Sequence, residues 1–297
     1  MRALLLATGS RPARQSASVR PARTAHAATM AGWWVLSLGL FAGMWEGAWA
    51  LGWADPLLLP PPHVFLRNFA DQAQFFVSSD VVGEESSAGA FQSLAMTVVA
   101  SSLRVVAGLL LGFVCSVTLG LLIRYFKLLG SLTLPTITLL APISPIAWLP
   151  VAIFIFGIGN PPAIFMVFIS LFFVMTLSTI SQIDSVSRTY LNVGAIMGAS
   201  RRQLFLHVII PAILPSLFMV LRMNLFGAWM VVLVAEATGV GSGLGQIVML
   251  ARNTFNSSLS FFTMTLIGVT GFLFDIALRQ IQRRVLFWVP PSAVGRL

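Results

Sequence analysis

The run YLNVGAIMGASRRQLFLHVIIPAILP, Tyr190 to Pro215, decides how the chain is read. It opens as a polar connection and closes inside an apolar stretch. A connecting loop usually shows turn residues and little periodicity. Here Leu191, Ile196, Leu204 and Phe205 lend it an apolar face, and Gly198 and Ser200 interrupt it. The pattern predicts a short amphipathic helix, broken near its middle and flanked by Arg188, Arg201 and Arg202. Two placements stay open for such a helix: docked in a partner's groove, or flat on an anionic leaflet.

Outward from this loop the chain is apolar. Crossing a bilayer takes about 20 apolar residues in a helix, and six segments qualify, at roughly 31–53, 92–123, 131–157, 161–182, 208–235 and 258–281. Composition agrees: 57% of residues are hydrophobic, 9% are charged and the mean hydropathy is +0.90. A soluble domain carries roughly a quarter charged residues to cover its surface. The predicted class is therefore an all-α membrane protein with six transmembrane helices. Between the first two spans, His63 to Val77 reads as a short amphipathic helix at the membrane surface.

The basic residues orient the bundle. Arg2, Arg11, Arg14, Arg20, Arg23, Arg124, Lys127, Arg188, Arg201, Arg202, Arg279, Arg283, Arg284 and Arg296 fall on one side. Asp55, Asp71, Asp80, Glu84, Glu85 and Glu236 fall on the other, opposed by Arg67 and Arg252. Both termini are then cytoplasmic. Residues 1–30 form a disordered basic tail, 31–288 the membrane domain with its cytoplasmic loop at 184–207, and 289–297 a second tail. Met30 directly precedes the first apolar run and is an alternative start. The net charge of +9 does not point to nucleic acid, because the arginines lie at span ends and form no single face.

Chemistry-bearing clusters are missing from the sequence pattern. Cys115 is the sole cysteine, and His26, His63 and His207 lie far apart, so neither a disulfide nor a metal site is expected. No G-x-x-x-x-G-K-[ST] occurs, so the chain has no phosphate-cradling loop for ATP. The glycines of GVGSGLG (239–245) do not form G-x-G-x-x-G, since position 244 is leucine and no strand precedes them. Residues 239–250 suit a short re-entrant element instead. No catalytic residue is assigned: an intramembrane hydrolase needs a nucleophile and base together, and Ser242 has no histidine on a neighbouring span.

Buried charge and broken backbone supply the candidate path residues. Arg222 lies 14 residues beyond Val208, or about 21 Å into the membrane at 1.5 Å per residue. An arginine there costs at least ~2.5 kcal/mol unless a cavity or partner receives it. It either faces the path and favours small anions, or pairs with a carboxylate such as Glu46 or Glu236. Arg104 either lines the path or snorkels to the interface. Glu236 ends the fifth span beside the glycines. Asp275 and Arg279, four apart, suit an ion pair on a helix surface. In the third span Pro142, Pro145 and Pro150 each remove a backbone donor, which makes either a gate or a kinked packing helix. Gly108 and Gly112, four apart, permit close helix approach.

The loop resembles the EAA loop of ATP-binding-cassette importer permeases, which ends in Gly, a nine-residue gap and apolar-x-apolar-Pro. Gly198, Val208, Ile210 and Pro211 match that ending in register. The opening departs: Asn192, Val193 and Gly194 stand where the general pattern has Glu-Ala-Ala, as is familiar in the nitrate/sulfonate/taurine branch. APISPIAWLPVAIFIFGIGN (141–160) and VAEATGVGSGLGQIVMLAR (234–252) also resemble that branch, and the likeness runs from about 30 to 288.

The resemblance implies a type I importer architecture in a bacterial inner membrane, with two permease chains forming the pore. Asn192, Val193, Gly194, Gly198, Ala199, Ser200, Arg201 and Leu204 then belong to the loop that docks on a separate ATPase. ATP and Mg are expected on that ATPase, and a binding protein outside the membrane delivers the substrate. The implied cargo is a small anion such as nitrate, a sulfonate, taurine or bicarbonate. The rival is an ion-coupled carrier working without an ATPase. Such carriers show midplane carboxylates and internal repeats, which this sequence lacks.

Overall fold

The computed structural model describes residues 20–53, 55, 58–77 and 89–288. Asp80, Glu84, Glu85 and Arg296, which entered the orientation reading, lie outside the described residues. The chain divides into two units, residues 1–62 and 63–297. All regular structure among the described residues is helical.

In the first unit, α1 spans Arg20–Ala50. The tail boundary expected at residue 30 therefore falls inside a helix, because Ala22, Ala25, Ala27 and Ala28 favour helix over coil. Residues 1–19 lie outside the described residues.

The division falls at the first residue of α2 (Pro62–Arg67), and α3 (Phe69–Val77) follows in the second unit. A single surface helix was expected over 63–77. The segment instead breaks near Asn68 and packs into the bundle, burying Phe65, Gln72, Ala73 and Phe76. Phe65 stacks on Phe261 at 6.2 Å and Phe76 meets Phe262 edge-on at 6.2 Å. Two pairs of large aromatic rings hold the segment's apolar face on the bundle, and Asp71 and Gln74 stay exposed.

The centre of the fold is α4 (Ala90–Tyr125) against α7 (Asn160–Asp184). Small residues line the buried face of α4 at near-four spacing: Ser93, Thr97, Ser101, Gly108, Gly112, Ser116 and Gly120. A Cβ at Gly108 would stand 2.5 Å from Val167 Cβ, and one at Gly120 2.8 Å from Thr179 Cβ. Gly108 and Gly112 therefore serve close packing, as small residues do between membrane helices. Buried hydroxyls return to their own helices, Thr97 to the Ser93 carbonyl at 2.9 Å and Thr179 to that of Met175 at 2.7 Å. Ser93 is the exception on this seam, its buried hydroxyl having no partner among the described residues.

The two helices run parallel: Arg124, in the last turn of α4, pairs at 2.8 Å with Asp184, which ends α7. The chain between them must then return to its starting side. It does so in two pieces, α5 (Lys127–Leu140) and, after a short 3-10 turn at Pro145–Trp148, α6 (Leu149–Phe156), bent by 100°. Pro145 and Pro150 sit in the first turns of those pieces, where no backbone donor is required. The expected single span at 131–157 is thus a broken one.

Beyond α7, the loop folds as α8 (Arg188–Ile196) and α9 (Arg201–Leu204), and a π turn at Phe205–Ile209 joins α9 to α10 (Ile210–Ala235). A second π turn, Glu236–Val240, leads through a glycine corner to α11 (Leu244–Asn253) and then α12 (Ser257–Val285). Among the described residues, four stretches are long and apolar enough to cross a membrane: Ala90–Tyr125, Asn160–Asp184, Arg201–Val240 and Ser257–Val285. The bent pair makes a fifth if it is one span. α1, expected as the sixth, is not among them; its tryptophans, glycines and Glu46 dilute the apolar run.

Candidate functional site

The loop is built as its residues predict. α8 starts at Ser187, whose hydroxyl caps the Thr189 N–H. It ends at Gly198, which takes φ +77°, a backbone that residues with a Cβ resist. Ser200 and Gln203 then form a reciprocal capping box for α9. The Ala199 N–H donates to the Gly194 carbonyl at 3.0 Å, folding the break back on α8.

The unusual Val193-Gly194 pair has a steric reason. A Cβ on Gly194 would meet the end of the Leu204 side chain, which lies directly over the glycine in this structure and would have to shift. The outer face of the loop stays bare: Ile196 is 85% exposed, Met197 81% and Val193 51%. Asn192 and Arg201 are also exposed. α9 flows through its π turn into α10, so the loop expected to end at 207 is helical to its last residue.

The charges inside the bundle gather into two clusters. In the first, Arg104 of α4 donates from Nη1 to Glu236 Oε1 at 2.6 Å and to the Ser242 carbonyl at 3.1 Å. Its Nη2 reaches Ser242 Oγ at 2.8 Å, and its Nε reaches Asn160 Oδ1 at 2.8 Å. Glu236 Oε2 accepts the Gly245 N–H at 3.0 Å, and Ser101 Oγ accepts the Leu244 N–H at 3.0 Å. Both charges are buried. α4, the start of α7, the end of α10 and the start of α11 meet here. Gly243, at φ +111°, and Gly245 let the chain pass against the Glu236 side chain; a Cβ on either would overlap it.

Arg104 therefore does not snorkel. A guanidinium with four acceptors and a carboxylate partner is better satisfied inside than at an interface. Glu236 is likewise committed to this cluster, and residues 239–250 form a corner and helix pinned by it.

In the second cluster, Arg222 of α10 donates to Asp275 of α12, from Nε to Oδ1 at 2.6 Å and from Nη2 to Oδ2 at 3.5 Å. Arg279 also donates to Asp275 Oδ2, from Nε at 2.9 Å and through Nη2. The Asp275 side chain is 4% exposed, while Arg222 is 30% and Arg279 42% exposed. Arg222 thus pairs with Asp275 while Glu236 is held by Arg104, and Asp275 is no simple surface partner of Arg279. The aspartate is a buried bridge between two helices. Pro145 is half-buried at the α5–α6 break and joins neither cluster.

Sequence reasoning missed Asp275, Asn160, Ser101 and Ser242 as partners. Asp275 was concealed because its near neighbour Arg279 gave a sufficient local explanation. The signal that could have found the first cluster was present: a lone arginine and a lone glutamate in apolar runs each need a counter-charge. Among the described residues no group of three His, Cys, Asp or Glu could hold a metal.

A helical bundle with at least four apolar stretches of membrane-spanning length defines a multi-pass membrane protein. Residues 105–287 match the family described as binding-protein-dependent transport system inner membrane component, and the chain belongs to that family. It is 34% identical over 197 residues to an ABC transporter permease protein assigned in Methanocaldococcus jannaschii, covering 66% of this chain and 74% of the relative. It is 28% identical over 258 residues to the taurine transport system permease of Escherichia coli, covering 85% and 89%. With a nitrate import permease of Leptolyngbya laminosa it shares 29% over 198 residues, covering 67% and 71%. The fold matches a chain of the MetNI methionine ABC transporter in an inward-facing state, with a TM-score of 0.54 at 19% identity, covering 65% of this chain and 95% of that one.

The chain is thus the pore-forming permease subunit of an ATP-driven, binding-protein-dependent importer, a multi-pass protein of the bacterial inner membrane. It is a transport subunit, and its family implies an ATPase and a substrate-binding protein as partners.

Proposed function

We propose that two copies of this chain form one pore with six crossings each and both termini in the cytoplasm, and that α8–α9 docks on the ATPase. The carrying observation is the loop's outer face, where Val193, Ile196 and Met197 project from a helix closed by Gly198. Large apolar side chains held on a capped helix suit insertion into a partner's groove. Coupling passes from α9 into α10 without a flexible link, because the helix is continuous from Arg201 to Val240. ATP and Mg bind the ATPase, not this chain.

The cargo is a small anion or sulfonate-bearing solute, of which taurine and nitrate, named for two relatives, are examples. Arg222 is the path residue that favours it. Its cluster holds two arginines against one aspartate, and the Arg222 side chain keeps 30% of its surface open. Arg104, Glu236 and Pro145 serve the path indirectly, by shaping the helices around it.

Co-purification of the chain with its ATPase tests the docking. Wild type should retain the ATPase. Ile196→Glu and Gly198→Glu should lose it while the permease remains dimeric, since a side chain at Gly198 points into open space and disturbs only the loop. A wild-type chain that binds no ATPase would return the ion-coupled carrier to first place.

A further inference from the structure

A cleft of about 650 Å³ opens between the C-terminal ends of α4 and α7 and the loop helices. Arg124, Arg188 and Arg201 line it, with Asp184 as the one carboxylate. Asp184 is spoken for by Arg124 at 2.8 Å. Among the described residues neither Arg188 nor Arg201 has an ion-pair partner, so two guanidinium groups face the cleft with no counter-charge.

Next to it lies a groove of about 410 Å³ with a different lining: Leu121, Leu122, Phe126, Leu206 and Ile210, with Arg202 beside them. Tyr125 and Phe205 line both cavities, and their rings meet edge-on at 5.7 Å. The two rings thus form a wall that both cavities share, with a basic cleft on one side and an apolar groove on the other. The apolar part lies along the last turns of α4 and the first of α10, helices that cross the membrane.

We propose that this site binds one anionic phospholipid, its phosphate between Arg188 and Arg201 and an acyl chain in the groove beyond Tyr125 and Phe205. Arginine forks grip phosphate oxygens with directional, charge-assisted bonds, and basic pockets at the ends of membrane helices suit lipid head groups. A soluble phosphate could use the arginines but would leave the groove empty. Val193, Ile196 and Met197, the apolar residues proposed to meet the ATPase, line neither cavity, while Arg201 and Leu204 of the same loop line the cleft. The lipid would tie α8 to the ends of α4 and α7, fixing the base on which the docking helix stands. The proposal rests on the membrane location and not on the docking itself.

The test is native mass spectrometry of the permease–ATPase complex released from bilayers of equal phosphatidylglycerol and phosphatidylcholine. Wild type should retain one phosphatidylglycerol per permease chain, and millimolar inorganic phosphate should not displace it. Arg188→Gln with Arg201→Gln should cut retention at least tenfold. Leu122→Trp, which fills the groove and leaves every arginine, should do the same. Equal retention by wild type and both variants overturns the proposal. Displacement by inorganic phosphate overturns it in favour of a soluble anion. Unchanged lipid but a lost ATPase in the arginine variant overturns it in favour of protein docking.

Discussion

Two clusters of charge sit inside this bundle, and they are built to opposite rules. Around Arg104 one arginine meets one glutamate, and each remaining polar atom finds a serine, an asparagine or a backbone group. The Arg104–Glu236 pair is neutral and buried, with Ser242 half-buried and Asn160 exposed at its edge. Around Asp275 two arginines share one carboxylate, both remain partly open, and the sum is positive. Buried charges are tolerated when paired and hydrogen-bonded, so the first cluster needs nothing from outside. The second keeps donors to spare. Neutrality with burial marks an architectural clasp, whereas surplus charge with exposure is what the path role proposed for Arg222 requires.

Position along the helices sharpens the contrast. Arg104 and Arg124 are 20 residues apart on α4, about 30 Å at 1.5 Å per residue, which is close to the thickness of the hydrocarbon core. The Arg104 clasp and the Arg124–Asp184 pair therefore bracket the apolar part of the seam. Arg222 lies 14 residues before Glu236 on α10, roughly 21 Å from the clasp. It sits well inside the bracket, where an open cationic group is costly to keep without a use.

The largest effect belongs to breaking the clasp. Glu236→Gln leaves the Arg104 charge buried without its counter-charge, a loss of about 3–5 kcal/mol for such pairs. The expected result is a sharp drop in the thermal midpoint of the purified protein and little assembled transporter. Arg104→Met combined with Glu236→Met removes both charges and should recover part of that loss, because a buried pair can be replaced by apolar packing at small net cost. A single variant as stable as wild type would end the distinction between the clusters at its strong side.

How much of this was legible beforehand follows the range of each interaction. The spans, the broken third segment and the capped loop rest on local composition and on residues close in sequence. Gly198 and Ser200 announced the break between α8 and α9 by their own chemistry. The clusters rest on partners far apart: Arg104 and Glu236 are separated by 132 positions, and Arg222 and Asp275 by 53. Sequence offered Arg222 a carboxylate but named Glu46 or Glu236 in place of Asp275, and it gave Arg104 no counter-charge at all. The burial of α3 was hidden for the same reason, since the rings that cover it lie on α12.

The intermediate effect belongs to Arg222. In Arg222→Gln the aspartate keeps Arg279, so the helices remain joined and the thermal midpoint should stay within a few degrees of wild type. Uptake should fall at least tenfold in reconstituted vesicles, with the ATPase still bound. Lost uptake with intact assembly separates a path residue from a clasp residue. Normal uptake would place Arg222 with Arg104 as architecture, and the comparison would collapse to two ways of joining helices.

The smallest effect should come from Arg279. Its side chain is 42% exposed and lies one turn from Asp275 on the same helix. Exposed pairs are worth roughly 0–1 kcal/mol, so Arg279→Gln should barely move stability. It also lowers the surplus charge of the cluster by one and leaves Arg222 alone with Asp275. If that surplus draws the anion, uptake at limiting substrate should fall a few-fold while the maximal rate holds, because attraction at a distance raises encounter more than turnover. If only the Arg222 group contacts the cargo, both should be unchanged. Steady-state uptake across a range of substrate concentrations distinguishes them, and the answer tells whether the net charge of the cluster or one guanidinium within it selects what passes.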